Sequence, residues 1–262
     1  MELLGFAFVG IFAGTIAGLL GLGGGLIIVP ILVWLFARQG MPEAFIIHMA
    51  VATSLITIMA TSISSIMAHH RYGNVIWPDV GKLLPSLMLG ALAGALLAIN
   101  LSAAIMQIVF ACFALLMAVK MWLPSLNITN KHLLNWLPSS MYGLFAGALS
   151  ALVGIGGGTL VVPYLVTASR AIQQAVGTAA ACGFPIAFAG GIGFIMFAPV
   201  SALSDTGWET GLIYWPAVWG IISTSVLFAP LGAKLAKQLP PFVLKRVFSV
   251  VLFYVAVYFF LR

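Results

Sequence analysis

Eight apolar runs, most of them near the length of a membrane span, leave this 262-residue chain little room to fold as anything but a membrane protein. They cover 3–36, 44–67, 83–99, 105–123, 142–167, 171–200, 212–235 and 243–261. Crossing the hydrocarbon core takes about 20 such residues. Only 6% of residues are charged, against about 25% in a soluble domain, so a water-solvated globule is excluded. The opening MELLGF has no basic n-region and no small-residue cleavage pattern, which predicts an uncleaved first span. Cys112 and Cys182 fall inside apolar runs far apart and read as small buried hydrophobes; no disulfide, metal site or cofactor is expected. The net charge of +6 reports orientation in a membrane rather than affinity for nucleic acid.

Two of the runs are broken by glycine. The first contains GLLGLGGGLIIVP (18–30) and the fifth ALVGIGGGTLVVP (151–163). Glycine weakens a helix by roughly 1 kcal/mol per residue. Broken backbone inside lipid is tolerated only where protein or a polar cavity surrounds it. The breaks therefore predict paired short helical arms whose N–H groups and helix N-termini could receive an anion without any basic side chain. Gly23, Gly24, Gly25, Gly156, Gly157, Gly158 and Thr159 are the expected lining, and Pro30 and Pro163 are expected to stiffen or kink the second arms. By contrast, Gly10, Gly14, Gly18, Gly90 and Gly94 read as helix-packing positions.

The repetition extends along the chain. Gly10-Ile-Phe-Ala-Gly14 matches Gly143-Leu-Phe-Ala-Gly147, AVAT (50–53) matches AVGT (175–178), Trp77-Pro78 matches Trp215-Pro216, and Gly94-Ala95 matches Gly232-Ala233. If all eight runs simply cross, Lys and Arg divide five against six between the two sides. If each glycine-broken run instead enters and returns on its own side, the division is nine against two, the bias a cytoplasmic face shows. The second arrangement gives each half an odd number of crossings and places both termini outside. The expected fold is all-α and polytopic, with inverted repeats of about 130 residues (1–130 and 131–262). Each has a re-entrant or short-hairpin first segment plus three spans, giving 8–10 membrane segments in one integral membrane domain.

Polar residues within the runs add candidates. Thr53, Ser54, Thr57 and Thr178 either bond back to their own helix or face a cavity, and the repeat match of Thr53 with Thr178 favours the cavity. His48, matched by Gln173, is either an interfacial residue or a cavity donor. His69-His70-Arg71 reads as a snorkelling basic cluster at a helix end. No carboxylate lies deep in a run, where ion-coupled carriers usually keep one. H-E-x-x-H, G-x-S-x-G, dinucleotide and P-loop signatures are all missing, so no enzyme is expected.

The paired GLGGGLIIVP and GIGGGTLVVP, each followed by A-V-x-T, resemble the sulfite exporter TauE/SafE family, also called the 4-toluene sulfonate uptake permeases. The resemblance covers essentially the whole chain. It implies a multi-pass transporter of the bacterial inner membrane for small sulfur-containing anions such as sulfite, sulfoacetate or other sulfonates, with export expected. The partners it implies are the small anion and the lipid bilayer, and a homo-oligomer is compatible with it. Uptake of another small solute, or a membrane scaffold whose glycines only pack helices, stands as the alternative.

Overall fold

Glycine and proline set the helix boundaries. The structure, a computed structural model, describes residues 2–20, 24–122, 139–199, 208–235 and 241–261. Ten helices occupy them: α1 (Glu2–Leu20), α2 (Gly25–Arg38), α3 (Ile46–Arg71), α4 (Trp77–Asn100), α5 (Ala103–Trp122), α6 (Ser139–Val153), α7 (Gly158–Thr167), α8 (Ile172–Met196), α9 (Trp215–Leu235) and α10 (Pro241–Leu261). The expected breaks fall where the glycines predict, between α1 and α2 and between α6 and α7. One small departure from an all-helical chain is a hairpin of β1 (Glu209–Thr210) and β2 (Ile213–Tyr214) ahead of α9. Gly211 turns it with a φ of 60°.

Among the described residues, five helices are long and apolar enough to cross a membrane: α3, α4, α5, α8 and the 215–232 part of α9. Large apolar side chains such as Leu89, Leu116, Trp219, Leu227 and Tyr254 lie on the outside. A soluble protein rarely exposes this much apolar surface; lipid covers it here. The protein is an all-α polytopic membrane protein.

The glycine-broken segments turn back on themselves. Phe6, near the start of α1, and Phe36, near the end of α2, both pack edge-on against Tyr214, with ring centroids 6.2 and 5.5 Å away. One aromatic residue thus touches both outer ends of the α1–α2 pair. In the second half, Tyr142 at the start of α6 stacks on Tyr164 of α7 at 4.4 Å and donates to the Leu160 carbonyl at 2.6 Å. At 14 and 10 residues, α2 and α7 are only about 21 and 15 Å long, short of the roughly 30 Å core.

Two contacts mark the ends of the molecule. Arg170, in the α7–α8 turn, holds Asp79 at the start of α4 through a two-pronged contact, Nε to Oδ2 at 2.8 Å and NH2 to Oδ1 at 3.0 Å. At the opposite end, His48 near the start of α3 bonds through Nε2 to the Ala98 and Leu101 carbonyls of the α4–α5 turn, both at 3.1 Å. The Asp79–Arg170 pair brings the α3–α4 and α7–α8 turns to one end. Eight simple crossings would set those turns on opposite sides.

Packing partners exchange between the halves. α1 lies along α9, and α6 lies along α4. Glycine makes the approach possible in both pairs. A methyl group at Gly10 would run into Thr224 and Ile221, and one at Gly14 into Ser225. A methyl at Gly143 would strike Ser86, and at Gly147 it would strike Leu87. In lipid, where no hydrophobic force draws helices together, such backbone proximity supplies the association energy. The packing reading of Gly10, Gly14, Gly90 and Gly94 holds.

Candidate functional site

The second break is built by a complete helix-ending motif. Ile155 N–H bonds the Ser150 carbonyl at 2.8 Å and Gly154 N–H the Ala151 carbonyl at 3.3 Å. Gly154 takes the left-handed conformation, φ 70°, that this six-residue closure requires. α7 then restarts at Gly158, and the Gly157 carbonyl accepts the Val161 N–H at 2.8 Å. On the other side Gly24, φ 75°, opens α2, its carbonyl accepting from Ile27 and Ile28.

The two breaks meet. A methyl group at Gly25 would collide with the Gly154 carbonyl oxygen and lie 3.0 Å from Ile155 Cα. Ser54 of α3 donates to the same carbonyl at 2.9 Å. Beside this junction runs a crevice between α3 and α8, lined by Ala17, Thr61, Ser62, Ser65, Gly156, Gly157, Ala179, Ala180 and Gly183. It is narrow, with room for little more than a water molecule. A methyl carbon at Gly183 would project to 3.2 Å from Ser62 Oγ and 3.7 Å from Gly157 N. A hydroxyl and a backbone nitrogen thus converge near one point. Among the described residues, no charged side chain lines the crevice. The available donors are hydroxyls and the backbone near the α7 N-terminus, where the helix dipole favours negative charge.

The expected site residues divide accordingly. Gly156 and Gly157 line the crevice, and Gly25 sits at the junction. Gly158 opens α7 and is buried. Thr159, 5% exposed, has a hydroxyl with no partner among the described residues. Gly23 lies outside the described residues. Gly24 serves the turn, and a side chain there would press on the Ala13 carbonyl at 3.0 Å rather than on ligand space. Pro30 and Pro163 lie inside α2 and α7.

Thr53 and Thr178 act in a way neither sequence alternative described. Thr53 Oγ1 accepts the Tyr214 N–H at 3.1 Å, and Thr178 Oγ1 accepts the Ile76 N–H at 3.0 Å. Each hydroxyl thus receives a backbone N–H at the N-terminal edge of the other half's fourth helix, one of the donors that a helix start leaves open. Thr57 does bond back, to the Ser54 carbonyl at 2.7 Å. His48 is engaged at the α4–α5 turn, about 20 Å along α3 from Thr61, and Gln173 is exposed.

Thr61, Ser62, Ser65, Ala179, Ala180 and Gly183 were not singled out from the sequence. The signal available was the continuation of hydroxyls along α3 at steps of four, Thr53, Thr57, Thr61 and Ser65, which places them on one helix face.

Replacing Ser54 by alanine removes the donor to Gly154 at the junction. Thermal unfolding in detergent is expected to show a loss of about 1–2 kcal/mol, with Ser54→Thr retaining most of it.

Comparison with known proteins decides the family. The family model described as sulfite exporter TauE/SafE matches residues 6–259. This chain belongs to the TauE/SafE family. A probable membrane transporter protein of Haemophilus influenzae is 38% identical over 256 residues, 97% of this chain and 96% of its own. Another, from Methanocaldococcus jannaschii, is 30% identical over 177 residues, 64% of this chain and 63% of its own. A third, from Bacillus subtilis, is 27% identical over 240 residues, 88% of this chain and 89% of its own. No solved structure matches. As a TauE/SafE protein the chain is a membrane transporter.

Proposed function

We propose that this TauE/SafE transporter carries small sulfur-containing anions, such as sulfite, sulfoacetate or another organosulfonate, out across the bacterial inner membrane. The carrying observation is the uncharged, donor-bearing crevice where Ser62, Gly157 and Gly183 converge beside the meeting of the two breaks. A site without a fixed cation can hold an anion and still release it. The inverted reading of the repeats supports alternating access: a hairpin plus three long helices gives each half an odd number of crossings. The Asp79–Arg170 end, which also carries Arg71 and Lys82, is then cytoplasmic by its positive charge.

The membrane potential is sufficient to drive export. It contributes about 2.3 kcal/mol per charge per 100 mV. At roughly 150 mV a monoanion is favoured outside by about 3.5 kcal/mol, several hundredfold. His48, tied to two carbonyls away from the crevice, supplies no proton path there. Flux in proteoliposomes under a potassium diffusion potential, with and without a pH gradient, tests this. Electrogenic efflux that follows the potential is expected; flux that follows the pH gradient and ignores the potential would rule out uniport.

A further inference from the structure

We propose that the bodies which move against each other during transport are not the two sequence repeats. They are two exchanged bundles, α1–α2–α3 with α9, and α6–α7–α8 with α4. This rests on the carrier reading of the crevice and adds to it which parts are rigid and where the molecule shears.

Three independent sets of contacts bind each fourth helix to the opposite half. The first is glycine packing. Methyl groups at Gly10 and Gly14 would strike α9, while those at Gly143 and Gly147 would strike α4 and those at Gly90 and Gly94 would strike α6. The second is the mirrored pair of hydroxyls, Thr53 on Tyr214 N–H and Thr178 on Ile76 N–H. The third is polar and lies at different depths. Thr224 donates to the Ala7 carbonyl at 2.7 Å and Ser64 to the Val226 carbonyl at 3.3 Å, both within the first bundle. Asp79 and Arg170 pair within the second. One core cluster is made of buried residues of α4, α6, α7 and α8 alone, while the other joins the first bundle and the α5–α10 flank to Ala95, Ala98, Val153, Ile155 and Phe194.

The seam between the bundles is mixed: backbone meets backbone at the junction of the breaks, where a methyl group at Gly25 would strike the Gly154 carbonyl and one at Gly154 would lie 3.1 Å from Val51 Cα, and side-chain tips meet farther along. Where α3 meets α8, methyl groups at Gly190 and Gly191 would touch the flexible tips of Leu55 and Ile56 rather than backbone. The crevice lies along this seam, with Ala17, Thr61, Ser62 and Ser65 on one bundle and Gly156, Gly157, Ala179, Ala180 and Gly183 on the other. Ser54 on the Gly154 carbonyl ties the bundles across it. Backbone-to-backbone packing resists displacement, whereas side-chain tips can exchange rotamers. Motion therefore pivots at the backbone junction of the two breaks, opens the crevice beside it and leaves each bundle intact, with α5 and α10, packed on each other, as the flank.

Lipid-facing positions allow a symmetric test. Phe12 and Phe145 are repeat equivalents on α1 and α6, and Leu89 and Leu227 on α4 and α9; all four are exposed. In a chain with Cys112→Ala and Cys182→Ala, spin labels are placed in pairs in nanodiscs and their distances read by pulsed electron paramagnetic resonance, with and without excess sulfoacetate. The 12/227 and 145/89 pairs join different repeats within one bundle, and each is expected to hold a single narrow distance. The 12/89 and 145/227 pairs lie within one repeat but on different bundles, and are expected to give broad or double distributions that sulfoacetate reweights. The reverse pattern, or four narrow and unchanging distances, would overturn the proposal. Broad 12/89 and 145/227 distributions that ignore sulfoacetate would uphold the bundles and count against the sulfonate reading. The two symmetry-related sets are independent preparations, so one poorly folding variant does not remove the test.

Discussion

Replacing Gly14 or Gly94 by leucine is expected to leave almost no folded protein in the membrane. A first side-chain carbon at Gly14 would run into the Ser225 carbonyl and lie 2.6 Å from Ser225 Cα. At Gly94 it would meet the Ala148 carbonyl and lie 2.8 Å from Ala148 Cα. Overpacking costs about 1–3 kcal/mol where side chains can yield, but the opposing atoms here are backbone, so two helices must part along their contact. A marginally stable protein cannot absorb that. Gly5 and Gly81 have open space around them, and leucine at either should be tolerated. Fluorescence-detected size exclusion of the four variants checks both halves of the expectation.

Replacing Gly183 by valine should act in the opposite way, with normal abundance but transport reduced more than tenfold. Its first side-chain carbon fills the point between Ser62 Oγ and Gly157 N, and valine's branches close the narrow crevice around it. Gly183→Ala should be milder, since the Ser62 hydroxyl at 3.2 Å can rotate away. Flux per unit of folded protein separates this from a packing defect. A Gly183→Val protein that transports at the wild-type rate would place the site elsewhere.

The sequence made the skeleton readable because its rules are local. Gly24 opens α2 and Gly154 closes α6 by a six-residue motif, each where an apolar run would otherwise continue. Helix-packing glycines at 10, 14, 90 and 94 repeat at steps of four, as close packing demands. The exchange of the fourth helices was not readable, because it rests on contacts such as Thr53 to Tyr214 that join residues 161 apart. Thr53 and Thr178 were correctly paired by the repeat, yet the pairing signals a shared capping role.

The crevice escaped for a related reason. Matching the two halves draws attention to positions that agree, and apart from Gly156 and Gly157 the crevice is lined by positions that do not. Aligned on AVAT and AVGT, Gly183 stands where the first half has Ile58, and Ser62 where the second has Ala187. Hydroxyls come from one half and open space from the other. Looking for symmetry finds Gly156 and Gly157 and misses the rest of the lining.

The measurement that bears most directly on the central claim is the exchange of radiolabelled sulfite and sulfoacetate across proteoliposomes holding the wild-type protein or Gly183→Val. Saturable exchange of at least one of these anions by the wild type, above that of protein-free vesicles and lost in Gly183→Val, is the expected result. Exchange no faster than in protein-free vesicles for either anion, or equal exchange by both proteins, would contradict it.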